Sequence, residues 1–207
     1  MSGRSSAVDR PDPLPAALAT DLDGAFEELV LAYQRRLYGF ALRFCGDRGD
    51  AEEITQDAFI RAYRALHSYD TARIRELALR PWLYQITLNV ARNHTRKRRL
   101  RTTPLDAEPG QTSASSQGLS DDWSQRPEAI VERTETGAVL ASMVRDLPAR
   151  YRAAVILRHI AGLSYPEVAA ALDQPLGTVK ANIHRGVQLL RTAWQAQEMQ
   201  EEGSHEQ

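Results

Sequence analysis

Apolar residues recur with a helical period from about Asp23 to Phe44. Phe26, Leu29, Val30, Tyr33, Leu37, Phe40, Ala41 and Phe44 fall on one side of that segment. Gly46 and Gly49 interrupt the pattern, and a second helix is predicted from Asp50 to Leu66, with Ile54, Ala58, Phe59, Ala62, Tyr63 and Leu66 inward. Residues 67–80 are weakly periodic and read as a loop with one turn of helix. Pro81 then opens a strong helix, PWLYQITLNVARNHTRKRRLR, whose core stripe is Trp82, Leu83, Ile86 and Val90, ending at Asn93. Beyond a stretch without period, a helix is expected near Glu128–Leu147, a break at Pro148, and a helix Ala149–Ala161 stopped by Gly162. Tyr151, Val155, Ile156 and Ile160 form its apolar stripe.

The most informative stretch is SYPEVAAALDQPLGTVKANIHRGVQLL, Ser164 to Leu190. Ser164 and Glu167 make a capping box, in which hydroxyl and carboxylate each satisfy an orphaned backbone N–H. Pro166 sits in the first turn, where its missing donor matters little. Val168, Ala171 and Leu172 mark one buried face. Pro175 and Gly177 punctuate the next turn, and Thr178 is placed to cap a second helix with Val179, Ile183, Val187 and Leu190 inward. Its outer face carries Lys180, Asn182, His184, Arg185 and Gln188. A cationic, hydrogen-bonding, nearly acid-free face on a short helix held by a partner helix is the layout of a helix-turn-helix reading a major groove.

Charge sharpens this picture. The net charge of −1 conceals a segregation along the chain: −2 over residues 1–23, +5 over 24–100, −3 over 101–134, +3 over 135–197 and −4 over 198–207. Two basic blocks flanked and separated by acidic ones predict two polyanion-facing domains joined by a segment that is not. Arg92, Arg96, Lys97, Arg98, Arg99 and Arg101 put six cations in ten residues, beside Trp82, Tyr84 and Asn89. That exceeds what a helix dipole needs and points to phosphate contact. The Asp50–Leu66 helix has Glu52, Glu53, Gln56 and Asp57 outside, followed by Arg61 and Arg64. This is either a solvated surface or a docking face for a basic partner helix.

Other chemistry is sparse. Cys45 is the only cysteine, so neither an internal disulfide nor a cysteine-rich zinc site is available. His67, His94, His159, His184 and His205 are dispersed, and no Walker loop, HExxH or GxSxG occurs. The Glu52, Glu53 and Asp57 face lacks anything to complete a metal site. The expectation is a non-enzyme without cofactor, cytoplasmic, with no stable membrane insertion, since no apolar run approaches a bilayer span. Residues 1–22 read as a disordered tail, 23–100 as a first domain, 101–127 as a Ser/Gly/Pro/Asp-rich linker holding an isolated Trp123, 128–197 as a second domain, and 198–207 as an acidic tail. The expected class is all-α: two small helical domains joined by a flexible acidic linker, the C-terminal one containing the helix-turn-helix.

Three motifs, DAEEITQDAFIRAYRAL, RPWLYQITLNVARNHTRKRR and LPARYRAAVILRHIAGLSYPEVAAALDQPLGTVKANIHRGVQLLR, occur in that order with an acidic linker before the last. In this the chain resembles bacterial extracytoplasmic-function (ECF) sigma factors, promoter-recognition subunits of RNA polymerase. The resemblance covers about Phe26–Arg99 and Val131–Arg191. It implies that Glu53, Gln56, Asp57 and Arg61 dock on the clamp helices of the largest catalytic subunit of core polymerase. It implies that Trp82, Tyr84, Asn89, Arg92, Asn93, Arg96, Lys97, Arg98 and Arg99 capture and melt the −10 element as single-stranded DNA, with a flipped base held between the 67–80 loop and the next helix. Thr178, Lys180, Asn182, His184, Arg185 and Gln188 would read the −35 element in duplex DNA, the linker would occupy the RNA exit path, and an anti-sigma factor is an expected partner.

The chain departs from the family pattern at Ala181-Asn182, where a Ser-Arg-like pair is usual, and at Gly186, where alanine is common. Asn182 favours adenine by its donor and acceptor pattern, and Gly186 should weaken its helix by up to about 1 kcal/mol. Two other functions fit parts of the sequence: a stand-alone helix-turn-helix regulator binding duplex DNA, and a helical adaptor whose charges are merely solvated.

Overall fold

The computed structural model describes residues 12–101 and 127–204, with side chains described for 12–98 and 137–199. Helix α1 (Leu14–Thr20) lies where a disordered tail is expected. Leu14 and Leu18, one turn apart, give it an apolar edge that the Pro/Ala composition conceals, and Leu18 is 1% exposed. Trp123 and nearly all of the expected linker lie outside the described residues.

Helices α2 (Leu22–Cys45), α3 (Arg48–His67) and α5 (Leu79–Arg101) pack into a three-helix bundle, with α4 (Thr71–Arg75) on the connection between the last two. Side chains set each start. Asp21 accepts from Gly24 N–H at 3.0 Å, Asp47 from Asp50 N–H at 2.9 Å and Asp70 from Arg73 N–H at 2.7 Å. Gly46 ends α2 at φ 82°, in the left-handed region, returning its N–H to the Leu42 carbonyl at 2.8 Å. Of the predicted inward stripes Leu29, Leu37, Ile54, Ala62, Leu66, Leu83 and Val90 are buried, Phe26, Val30, Tyr63, Trp82 and Ile86 are half-buried, and Leu88, outside the predicted stripe, is buried as well. Thr55 and Thr87 enter the core by bonding back to the Ala51 and Leu83 carbonyls, at 2.6 and 2.8 Å. Asn93, placed by the sequence at the end of the core stripe, is exposed.

The C-terminal half comprises α6 (Pro127–Asp146), α7 (Ala149–Val155), α8 (Tyr165–Leu172) and α9 (Leu176–Ser204). Helix α7 continues as a π-turn, Ile156–Ile160, closed by Ala161 N–H on the Ile156 carbonyl at 2.8 Å. The wider turn adds one residue to the period. It carries Ile160 out of the stripe expected for it, leaving it 44% exposed. The Ser164–Glu167 capping box opens α8, and Asp173 ends it at φ 52°, a conformation Asp tolerates better than most residues. Helix α9 starts at Leu176, so Thr178 lies inside its first turn rather than capping it; Val179 N–H already bonds the Pro175 carbonyl at 3.1 Å.

The two halves touch. Helix α5 lies against α8, and α2 against α6 and the π-turn, so buried side chains form one continuous cluster. Arg80 donates to the Ala161 carbonyl at 2.6 Å and sits 3.7 Å from Glu167, while Arg152 donates to the Phe44 carbonyl at 2.9 Å. Sequence patterning carries no sign of this contact.

Gly186 is explained by packing. A Cβ there would sit 2.6 Å from Val155 Cγ2 and 3.3 Å from Tyr151 Cβ, so only glycine lets α9 approach α7 this closely. Gly186→Ala should therefore lower the melting temperature despite alanine's better helix propensity, since overpacking costs roughly 1–3 kcal/mol against about 1 gained. A rise on thermal unfolding would contradict the packing.

Tyr33 is buried and donates to Asp12 Oδ2 at 3.2 Å. Burial first, then the Asp12 charge and hydrogen bond, push its phenol up to about 12 from 10.0. The neutral form is favoured in the fold, so this stabilisation is complete below pH 10 and is lost as pH rises from 10 toward 12. Alkaline denaturation of Tyr33→Phe should show a shallower loss over that window, by on the order of 2 kcal/mol.

Candidate nucleic-acid and polymerase interfaces

Successive residues of a helix are about 100° apart, so each predicted set of site residues can be tested for sharing a face. On α9, Val179, Ile183 and Gly186 turn inward, and Ala181, His184, Arg185 and Gln188 are exposed on the opposite side. Lys180 and Asn182 flank that strip on opposite margins, about 160° apart. Lys180 leans toward α8, its Nζ 6.0 Å from the Tyr165 ring centroid. Half-buried Asn182 donates to Gln174 Oε1 at 3.2 Å, so the turn of the helix-turn-helix holds its amide. His184 and Gln188 approach to 3.5 Å. Thr178 is exposed at the N-terminal end of the face. Five of the six predicted residues are thus exposed, with Ala181 at the centre of the strip, whereas Asn182 is half-buried at its margin.

On α5, Trp82, Asn89, Asn93 and Arg96 fall on one stripe, bordered by Arg92 and Lys97. Asn89, Arg92, Asn93, Arg96 and Lys97 are exposed. Partial desolvation lowers the Arg92 guanidinium from its usual value. Trp82 is half-buried and packs against Tyr69, ring centroids 6.1 Å apart, and Arg73 covers Tyr69 at 3.7 Å. Two predicted contacts do not belong here. Tyr84 is 1% exposed and meets Phe40 edge-on at 5.5 Å, so it is core. Arg98 lies about 160° around the helix from Trp82, where its Nη1 meets Asp50 Oδ2 at 2.6 Å. The Asp50 hydrogen bond and charge raise the Arg98 guanidinium further. The Arg99 side chain lies outside the described residues. An open depression of about 490 Å³ on the 67–80 loop is lined by Asp70, Ala72, Arg73, Glu76, Leu77 and Ala78. Asn89 is not among its walls.

On α3, Glu53, Gln56, Asp57 and Arg61 form one exposed ridge. Asp57 and Arg61 pair at 2.9 Å, and Glu53, 75% exposed, meets His94 of α5 at 3.1 Å. Sequence reading missed Ile60, which stands on the same ridge and is 48% exposed. Its signal was available, as an apolar residue off the inward stripe of Ile54, Ala58 and Leu66. An apolar centre in a polar rim is the anatomy of a protein interface. Among the described residues no group of three or more His, Cys, Asp or Glu could hold a metal ion, and no helix is long and apolar enough to cross a membrane.

Comparison with known proteins decides between the readings. Sigma-70 region 2 matches residues 29–101, and Sigma-70 region 4 matches residues 138–190. The RNA polymerase sigma-H factor of Pseudomonas aeruginosa is 35% identical over 83% of this chain and 86% of its own. The chain belongs to the ECF sigma factor family. The ECF sigma-E factor of Escherichia coli is 34% identical over 78% of this chain and 82% of its own, and SigW of Bacillus subtilis 35% identical over 81% and 87%. Among solved structures, CnrH in complex with the cytosolic domain of CnrY has a TM-score of 0.62 at 26% identity, covering 88% of this chain and 96% of that one. This ECF sigma factor accordingly binds core RNA polymerase, directs it to promoters with −35 and −10 elements, and promotes strand opening.

Proposed function

We propose that three separate faces divide this work. The α3 ridge of Glu53, Gln56, Asp57 and Arg61, with Ile60 at its centre, docks on the clamp helices of the largest catalytic subunit. The α5 stripe of Trp82, Asn89, Arg92, Asn93, Arg96 and Lys97 receives the −10 element as single-stranded DNA. Unstacking a base costs a few kcal/mol, which stacking and backbone cations must return. The α9 strip of Thr178, Lys180, His184, Arg185 and Gln188 enters the major groove at −35, with Asn182 favouring adenine from its fixed position. The chain itself catalyses no reaction. An anti-sigma factor that masks these faces completes the reading, supported by the protein partner with which CnrH was solved.

The single observation behind this assignment is the segregation of chemistry by face. A mixed polar and apolar ridge, an amide-and-arginine stripe and an acid-free strip lie on three different helices. A stand-alone regulator needs only the third.

The reading is tested by in vitro transcription with purified core polymerase on genomic DNA, mapping start sites by sequencing. New start sites dependent on this chain are expected, and none appearing would refute it. In the same assay Arg185→Ala should reduce −35-dependent initiation by about 1–3 kcal/mol of discrimination while leaving core association intact. Gln56→Lys with Asp57→Lys should abolish co-purification with core.

Asn89→Ala should slow bubble formation, followed by permanganate reactivity, more than closed-complex binding. The opposite order would remove Asn89 from the strand-capture site.

A further inference from the structure

A cavity of about 410 Å³ lies where the two halves meet. Arg35, Arg36 and Arg43 of α2 and Arg80 of α5 line it, and no carboxylate does. Glu167 opposes the charge of Arg80, and the guanidinium groups of Arg35, Arg36 and Arg43 leave the hollow with an excess of positive charge that an anion would offset. Two of the four are already held in place: Arg43 donates to the Gly39 carbonyl at 3.2 Å, and Arg80 is anchored by the Ala161 carbonyl and Glu167. The Arg80 Nε is buried without a hydrogen-bond partner. The remaining wall is apolar, from the edge-to-face pair Phe40 and Tyr84 and from Ile156 and Ile160 of the π-turn. Arginine's planar fork matches phosphate oxygens two at a time, and Ile160, 44% exposed, offers an apolar edge to a flat ring. The volume is within the usual range for small-molecule sites, which favour domain interfaces.

We propose that this cavity is a binding site for a nucleoside polyphosphate, its phosphates on Arg35, Arg36 and Arg43 and its base against the exposed side chain of Ile160. Because the π-turn closes one side, the ligand contacts both halves and favours the arrangement in which they are packed. A single-stranded nucleic-acid backbone would need an open groove there, and the Ile156–Ile160 wall obstructs one.

Calorimetric titration of the full chain tests this with ATP in the absence of magnesium, inorganic tripolyphosphate and a short single-stranded oligonucleotide. ATP is expected to bind saturably, one per chain, and more tightly than tripolyphosphate. Arg36→Ala with Arg43→Ala should weaken ATP at least about tenfold, and so should Ile160→Asp, which brings a carboxylate to the mouth from the other half. Neither variant is expected to lower the melting temperature of the unliganded chain. No ATP binding, or equal binding by the arginine variant, overturns the site. Equal affinity for tripolyphosphate overturns the nucleotide assignment. Unchanged binding by Ile160→Asp overturns the shared wall, and displacement of ATP by the oligonucleotide makes the cavity part of a DNA path instead. None of these readouts involves polymerase, so their failure leaves the sigma assignment untouched.

Discussion

Every helix ends with carbonyls that have no partner inside it, and here two arginines satisfy such groups across the boundary between the halves. Arg152, on α7, donates to the Phe44 carbonyl near the end of α2 and, at 3.0 Å, to Leu147 in its own half. Arg80, at the start of α5, donates to the Ala161 carbonyl beyond the π-turn. Each half therefore supplies the charge that closes a helix end of the other. Such charge-assisted bonds are worth about 1.5–3 kcal/mol each, enough to favour the packed form and modest enough to be exchanged for other contacts. The arginine-lined cavity lies along this seam.

Local pattern made most of the fold legible. The periodicities of Leu29–Leu37–Phe44 and Ile54–Ala58–Leu66, the Ser164–Glu167 box and the Gly46 stop each act within a few residues, and each is found where the spacing places it. What stayed hidden depends on partners distant in sequence. Tyr84 resembles a strand-stacking aromatic until Phe40 is seen against it, and Arg98 looks like a phosphate ligand until Asp50, 48 residues earlier, is seen to hold it. Ile160 left its predicted stripe because a π-turn cannot be read from an α-helical period. The capping role expected of Thr178 was lost because Pro175 and Gly177 allow α9 to begin earlier.

The candidate faces were legible to the extent that exposure follows from helical phase. Five of the six α9 residues, the four α3 residues and six of the α5 set, Arg98 among them, reach solvent, since the opposite side of each helix is committed to the core. Chemistry that depends on phase alone is readable in this way. The pairing of Asp57 with Arg61 and the seat of Asn182 on Gln174 are finer matters, fixed by which side chains the fold brings within reach.

Contact between α5 and α8 also sets a geometric limit. On the proposed assignment the α5 stripe and the helix-turn-helix that α8 shares with α9 reach two separate promoter elements, whereas here α5 and α8 are packed side by side. If the two elements are reached only when the halves part, the parted fraction scales the apparent affinity for a complete promoter, and loosening the Arg80 and Arg152 seam would act on promoter binding without touching a single proposed base-reading residue.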